Sequence, residues 1–446
     1  MDKNVFIISL GCAKNLTDSE SMAYLLENEG YKFVEDINDA AIVLINTCAF
    51  IQDAKEEAVG EILNAVEAKK SNHNIKIVVA GCLAQRYTDE LKKEIPQIDI
   101  FIGTSEYCKI IDVLKKIETQ ETVCQIGSID SNIVETKRKI FTKKPVAYLK
   151  ISEGCSRSCT YCIIPKLRGK YRSRKMEDIL AEANDLAANG YNEIVLVAQD
   201  VTLYGIDLYQ TKKLAALLTK LNEIDKLKRI RLMYTYPEEI DDALIACFKN
   251  LDKLQHYIDL PLQHISDDIL RKMGRHTNKK AIKTLYKKLK KEVADITLRT
   301  TFIVGFPSES KEQFEEIMDF IEECPFDKVG VFTYSQEEGT PAAEMPQQIS
   351  QRIKTKRYHS LMKKQQKISH EINNTFIGKT TEVLIYDRLE DNIYLGRTFR
   401  DAPDIDGGIL VHSPDTLNIG EYYECKINGA NAYDLLGTVL NNEYSQ

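Results

Sequence analysis

The sequence predicts an α/β chain in three parts: an N-terminal doubly wound parallel sheet (residues 1–138), a central partial (β/α)6 barrel ending in a linker helix (139–375), and a small C-terminal antiparallel β-barrel (376–446). Three observations predict it. Near the N-terminus, short apolar runs alternate with helix-periodic stretches. From Ala147 to about Ser335, six further apolar runs alternate with amphipathic segments. After Gly378 the apolar pattern changes to period two, as in half-buried strands. A length of 446 residues agrees with about three domains at roughly 150 residues each.

In the first part, IISLGC, VLINTC and IVVAGC each close an apolar run on a cysteine: Cys12, Cys48 and Cys82. SESMAYLLENEG, AKEEAVGEILNAVEAKK and TDELKKEI follow them, with apolar positions at helical intervals and Gly30 placed to cap the first. This β-Cys-α unit, three times over, predicts parallel strands. Adjacent strands lie about 4.8 Å apart, so three thiols at the same ends of neighbouring strands would fall within roughly 10 Å of one another. They would lie at the carboxyl edge, where such sheets bind ligands. The three cysteines are therefore candidate metal ligands, although one buried cysteine alone would mean nothing, since cysteine is a common core residue.

KRKIFTKKP (Lys137 to Pro145) is basic and ends in proline, so it reads as a domain edge. The first barrel strand, AYLKI, runs into EGCSRSCTYC, which places Cys155, Cys159 and Cys162 in a C-x3-C-x2-C spacing in the following loop. Structural zinc wants four protein ligands, and no His or Cys lies within thirty residues on either side. A 4Fe-4S cubane held by three thiolates keeps one iron open, which suits catalysis. A loop at the C-terminal end of a parallel strand is where α/β folds place their chemistry.

The remaining barrel strands are EIVLVAQDV, RIRLMYT, YIDLPL, ITLRTTFIVGF and KVGVFTYS. Six strands are too few to close an eight-stranded barrel, so a lateral opening is expected. Gln199, Asp200, Tyr234, Thr235, Gln263 and His264 stand at strand ends, and Gly305 with Pro307 marks a turn. For each of these a capping or packing role is the stronger reading; His264 is also a candidate acid–base group. QEEGTPAAEMPQQ marks a second break, before a basic helix from about Ser350 to Asn373 with Arg352, Lys354, Lys356 and Arg357. That helix suggests either nucleic acid or a solvated face.

The last part contains TTEVLIYDRL, NIYLGRTF, GGILVHS, YYECKING and YDLLGTVL, short strands that predict a small OB-like barrel. From Gly378 onward there are five cations (Lys379, Arg388, Arg397, Arg400, Lys426) against twelve acids, a net −7 that equals the charge of the whole chain. Such a surface repels phosphate and attracts a basic protein, which argues against direct nucleic-acid binding. No apolar run approaches the ~20 residues of a membrane span, and MDKNVFIISLGCAKN reads as a first strand rather than a signal peptide. A cytoplasmic location is expected. Eleven cysteines then point to metal or redox chemistry, because that compartment keeps thiols reduced. Cys108, Cys124, Cys247, Cys324 and Cys425 show no pattern and read as structural.

The loop motif after a strand matches the radical S-adenosylmethionine (SAM) superfamily. Over its whole length the chain resembles the methylthiotransferases of that superfamily, and LGCAKNLTDSE, NTCAFIQDAKEEA, EGCSRSCTYCIIPKLRGKYRSR and YIDLPLQH resemble the branch that modifies a ribosomal protein. Ala49 departs from an expected glycine beside a ligand position. The resemblance implies that Cys155, Cys159 and Cys162 hold a 4Fe-4S cluster whose open iron binds SAM. It implies that Cys12, Cys48 and Cys82 hold a second, auxiliary 4Fe-4S cluster carrying the sulfur, and that the terminal barrel is a substrate-binding TRAM domain. The implied substrate is a basic protein of the small ribosomal subunit, the one numbered twelve. The implied reaction is abstraction of hydrogen from the β-carbon of an aspartate by a 5′-deoxyadenosyl radical, followed by sulfur transfer and methylation from a second SAM. No protein acid or base is assigned. A tRNA adenosine methylthiotransferase, favoured by the basic helix and opposed by the acidic barrel, is one alternative. A non-catalytic, metal-stabilised assembly factor is another. The sulfur source, electron donor and oligomeric state are not implied.

Overall fold

The computed structural model describes residues 3–117 and 121–440; Glu443, one of the twelve acids counted above, lies outside them. The first strands are apolar because both faces of their sheet are covered. β3 (Ile42–Thr47) is buried at all six positions, as in a parallel strand between helical layers. Together with β1 (Asn4–Ser9), β2 (Lys32–Phe33), β4 (Lys76–Gly81), β5 (Ile100–Ile102) and β6 (Val123–Gln125) it forms a six-stranded parallel sheet in the order β2-β1-β3-β4-β5-β6. Met22 and Leu26 of helix α1 (Ala13–Asn28) pack on one face. Ile62 of α2 (Gln52–Ser71) and Leu91 of α3 (Cys82–Glu94) pack on the other. The sheet is thus doubly wound, and Gly30 follows α1 at φ +82°, where a side chain would be strained.

β7 (Val146–Lys150) opens the central barrel and leads into a two-residue ribbon, β8 (Ser152–Glu153) with β9 (Arg172–Ser173). β10 (Glu193–Val197), β11 (Arg229–Leu232), β12 (Leu254–Asp259), β13 (Thr297–Val304) and β14 (Lys328–Thr333) complete a six-stranded parallel sheet. Its order runs β14-β13-β12-β11-β10-β7. β7 and β14 are its two edges, so the barrel is open at the side, as six strands predict. The segment joining it to the first sheet is pinned: Arg138 pairs with Glu20 of α1 and with Glu182, and its Nη2 donates to the carbonyl of Tyr148 at 2.7 Å.

The helix Gln351–Asn374 corrects its sequence reading. Arg352 and Lys356 are exposed, as on a solvated face, but Lys354 and Arg357 in its first two turns face inward. Lys354 is buried and donates to the carbonyl of Tyr334 at 2.7 Å, and Arg357 pairs with buried Glu309 at 2.9 Å. No helix among the described residues is long and apolar enough to cross a membrane.

β15 (Thr380–Glu390), β16 (Ile393–Arg397), β17 (Ile409–His412), β18 (Tyr422–Ala430) and β19 (Leu435–Val439) close the terminal barrel in the order β15-β16-β17-β19-β18. Its pairs are antiparallel except β17 with β19, which run parallel. The segment between β16 and β17 seals the N-terminal mouth of the central barrel. Arg231, fully buried in β11, donates to the carbonyl of Phe399 at 2.8 Å. Lys328 pairs with Asp401 at 2.9 Å, Tyr257 donates to Asp406 at 2.7 Å, and Tyr148 donates to Asp404 at 2.6 Å. Part of the acidity of this domain is therefore engaged within the chain.

Glu193 anchors this junction, accepting from Arg397 at 3.1 Å and lying 3.4 Å from Arg231. Burial works against its charge, but Arg397 and Arg231 prevail and hold its carboxyl down to about 2. Glu193→Ala leaves two buried guanidiniums without their carboxylate, so a stability loss of about 3–5 kcal/mol is expected as a lowered thermal midpoint. The pH dependence follows from the depressed value. The contribution is complete above the unfolded carboxyl pKa of about 4.3 and disappears as pH falls towards about 2. Across that window the thermal midpoint of the native protein should fall more than that of Glu193→Gln.

Candidate functional site

β1, β3 and β4 are neighbours in the first sheet, and Cys12, Cys48 and Cys82 follow their C-terminal ends. Two glycines allow the close approach. Gly11 adopts φ +84°, and a Cβ there would lie 2.6 Å from Cys48 Cβ and 3.0 Å from its sulfur. Gly81 adopts φ +90°, and a Cβ would lie 2.3 Å from Asn46 Oδ1. Side-chain amides stitch the strand ends together. Asn15 donates to the carbonyls of Leu10 and Thr47 at 3.1 and 2.8 Å, and Asn46 donates to the carbonyl of Asn15 at 2.8 Å.

Burial, then Cys82 and Cys12, push the Cys48 thiol up to about 12. Burial likewise raises Cys82. Cys12 is half-buried, and although desolvation opposes its charge, Lys14 and Arg168 prevail and lower it. Three desolvated thiols that repel one another as anions are a site that a soft cation neutralises. Among the described residues no three His, Cys, Asp or Glu side chains converge on a single metal ion. A cubane needs no such point, because each thiolate takes a different iron. A donor set of three sulfurs and no oxygen fits an iron–sulfur cluster.

The second set lies in the loop between β8 and β9. The ribbon closes the base of the loop, and the Cys155 N–H donates to the carbonyl of Gly169 at 3.0 Å. Arg157, inside the motif, donates to Asp200 at the end of β10 at 2.8 Å and to Glu239 at 2.9 Å. Thr160 N–H donates to the carbonyl of Met273 at 3.0 Å, and Tyr236 OH lies 3.7 Å from the Cys159 sulfur. Burial pushes the Cys155 thiol up to about 11 and raises Cys162 further, Cys159 and Cys155 adding to the latter. Here too three sulfurs share one desolvated loop.

A buried network of four charges joins the two sets. Arg168, after the second motif, donates to Glu153 at 2.9 Å, to Asp18 of α1 at 3.1 Å, and to Asn15. It also reaches the Cys82 sulfur. Lys150 at the end of β7 pairs with Asp18 and, at 3.1 Å, with Glu153. Glu153 also accepts from Gln199 at 3.0 Å. Two cations face two carboxylates. Despite burial, Arg168 and Lys150 hold the Glu153 carboxyl well below the usual carboxylate range.

Between this network and the sealed mouth lies a cavity of about 390 Å³. Cys12 and Leu16 line it from the first sheet, Val197 and Tyr234 from the central barrel, and Ala402 and Asp404 from the terminal domain. Lys14 stands beside it, its ammonium 3.6 Å from the centre of the Tyr234 ring.

Of the residues singled out at strand ends, Gln199 and Asp200 hold the motif loop, and Tyr234 lines the cavity. Thr235 packs against the carbonyl of Asp259. His264 is fully buried, accepts from Ser266 N–H at 3.0 Å, and is pushed down to about 3 by burial. It holds a loop and remains neutral. Nothing in the sequence marked Lys14, Asn15, Asp18, Asn46 or Arg168. The available signal was that polar residues fill the first two turns of α1 on every side, where an amphipathic helix shows one apolar face; Lys14, Asn15, Thr17, Asp18, Ser19, Glu20 and Ser21 are all buried.

Three family models match the chain: uncharacterized protein family UPF0004 over residues 4–103, the radical SAM superfamily over 149–321, and the TRAM domain over 377–440. The ribosomal protein uS12 methylthiotransferase RimO of Clostridioides difficile (strain 630) is 48% identical over 97% of this chain and 98% of its own length. The protein of the same name from Lachnoclostridium phytofermentans is 47% identical over 97% of this chain and 99% of its own. Among solved structures, the radical SAM methyltransferase TsrM of Kitasatospora setae has a TM-score of 0.56 at 14% identity, covering 89% of this chain and 81% of that one. The cobalamin-dependent radical SAM enzyme OxsB has a TM-score of 0.51 at 15% identity, covering 82% and 56%. At these identities the structural likeness is one of fold.

Removing Asp18 leaves Lys150 and Arg168 sharing one carboxylate in a desolvated junction. Asp18→Ala is expected to lose about 3–5 kcal/mol of stability by denaturant unfolding. A change below about 1 kcal/mol would mean that the network is solvated like a surface pair.

Proposed function

The chain belongs to the radical SAM methylthiotransferase family of the uS12 methylthiotransferases RimO, and on that premise we propose that it attaches a methylthio group to the β-carbon of an aspartate in ribosomal protein uS12. It is a radical SAM enzyme, of a superfamily that uses a 4Fe-4S cluster and SAM. We assign the SAM cluster to Cys155, Cys159 and Cys162, and an auxiliary 4Fe-4S cluster to Cys12, Cys48 and Cys82. The observation that supports this reading is the pairing of two sequence-separated sets of three thiols across one buried network, in which Arg168 and Lys150 join Asp18 of α1 to Glu153 at the base of the motif loop.

When bound, the clusters and SAM supply the radical and the sulfur. The chain's own task is ligation, positioning and exclusion of water. Arg157, tied to Asp200 and Glu239, fixes the motif loop. Asp18 and Arg168 fix the first sheet against it. Apolar side chains such as Leu16, Val197 and Met233 line the cavity beside Cys12. The target carbon lies beside a carboxylate, where proton removal would build charge next to charge, so no general base is assigned. His264, buried and neutral, fits that reading.

We divide the chain at residues 138 and 375 and assign substrate holding to the terminal barrel. Glu390, Asp391, Asp415, Glu421 and Glu424 remain exposed on it and suit a basic ribosomal protein.

Mass spectrometry of uS12 from cells lacking this gene should show loss of a methylthio mass from one aspartate, restored by complementation; an unchanged mass would contradict the proposal. The assignment of ligands has its own measurement. Anaerobically reconstituted protein should hold about eight irons per chain, and about four after replacing Cys155, Cys159 and Cys162 together by alanine.

A further inference from the structure

Lys14 is a buried ammonium, 7% exposed, in the first turn of α1. Its neighbours satisfy it poorly. It makes one long hydrogen bond, to the carbonyl of Ala198 at 3.4 Å, and it stacks on Tyr234. An ammonium carries three donors. Among the described residues no carboxylate lies within ion-pairing distance of it. Other cations around the two thiol sets differ: buried Lys150 and Arg168 and half-buried Arg157 each pair with two carboxylates, and buried Arg275 with one. Burying a cation without a carboxylate partner is strongly unfavourable, and the acidic groups that chiefly act on this one are the Tyr234 hydroxyl and the Cys12 thiol. The fold keeps one here nonetheless.

The place is specific. Ala198 and Tyr234 follow the C-terminal ends of β10 and β11, where barrel folds bind substrates. Tyr234 adopts φ +62°, a strained conformation for an aromatic residue. The Asp259 carboxylate accepts its N–H at 3.0 Å and holds it there. The ring lines the cavity that begins at Cys12 and presents its face to the ammonium. The N-terminus of α1 adds positive partial charge from the same side. Asp404, the one carboxylate lining the cavity, is engaged by Tyr148 at 2.6 Å; the ammonium beside the cavity, the π face and the apolar walls suit a small anion attached to a hydrocarbon stem.

We propose that Lys14 binds the side-chain carboxylate of the substrate aspartate and so holds its β-carbon between the two sets of thiols. This rests on the aspartate substrate proposed above. A carboxylate fixed by one ammonium leaves its β-carbon a single bond away, at the cavity that Cys12 lines. Lys14 is a binding and specificity residue; it takes no part in bond making.

The test is a double-mutant cycle on the reconstituted holoenzyme. Binding of uS12 is measured with its target residue as Asp or as Asn, for the native enzyme and for Lys14→Met. The native enzyme should prefer Asp by about tenfold or more, the scale of a hydrogen bond between charged groups. Lys14→Met should bind both forms equally, and Lys14→Arg should keep part of the preference. Lys14→Gln makes the same measurement if the Met variant fails to assemble its clusters. An undiminished preference in the Met or Gln variant, or no preference in the native enzyme, would overturn the assignment. Failure of the uS12 reading looks different: the native enzyme would then add no methylthio mass to uS12 at all.

Discussion

The buried square of Asp18, Lys150, Glu153 and Arg168 is the constraint on which the rest of the molecule depends. Each side chain comes from a different piece: α1 of the first sheet, the end of β7, the ribbon that starts the motif loop, and the short helix that ends it. Two positive and two negative groups, nearly inaccessible, satisfy one another only when the first sheet sits over the C-terminal mouth of the barrel. A surface version of these pairs would contribute little. In a desolvated junction each member enforces the position of the others, because a missing partner strands a charge. The square also links the two sets of thiols, as Arg168 holds Glu153 at the base of the motif loop and reaches the Cys82 sulfur.

At the opposite mouth the terminal barrel does the complementary work. Arg231, Tyr257 and Lys328 rise from the barrel strands to meet the segment between β16 and β17. This gives the cavity a floor, with Asp404 the only charged residue among those lining it. The acidic composition of the terminal domain therefore serves two ends. Asp401, Asp404 and Asp406 bind the barrel from below, while an outer group of carboxylates stays exposed. A count of charge along the chain cannot separate these groups, since both lie within one stretch of sequence.

What was legible in the sequence follows from periodicity and from soft ligands. Strands buried on both faces, such as β3, announce themselves as unbroken apolar runs. The glycines before Cys12 and Cys82 end strands where the backbone must turn, and thiols repeated at those points predicted neighbouring strand ends. The order β1-β3-β4 then brings them side by side. The polar framework was not legible. Asn15, Asp18 and Arg168 are distant partners brought together by docking of whole domains, and no local spacing records that. Lys354 was misread for the same reason: a lysine on a basic helix gives no sign that a barrel carbonyl awaits it. Lys14 stands between Cys12 and Asn15 in sequence, and the role proposed for it follows only from what it lacks in three dimensions.

The central claim is the proposed assignment of two clusters, each to three cysteines, on the two sides of the buried square. Anomalous scattering from iron in crystals grown anaerobically tests it most directly. Two iron sites are predicted, one at Cys12, Cys48 and Cys82 and one at Cys155, Cys159 and Cys162. A single site, or a second site held by other residues, would contradict it.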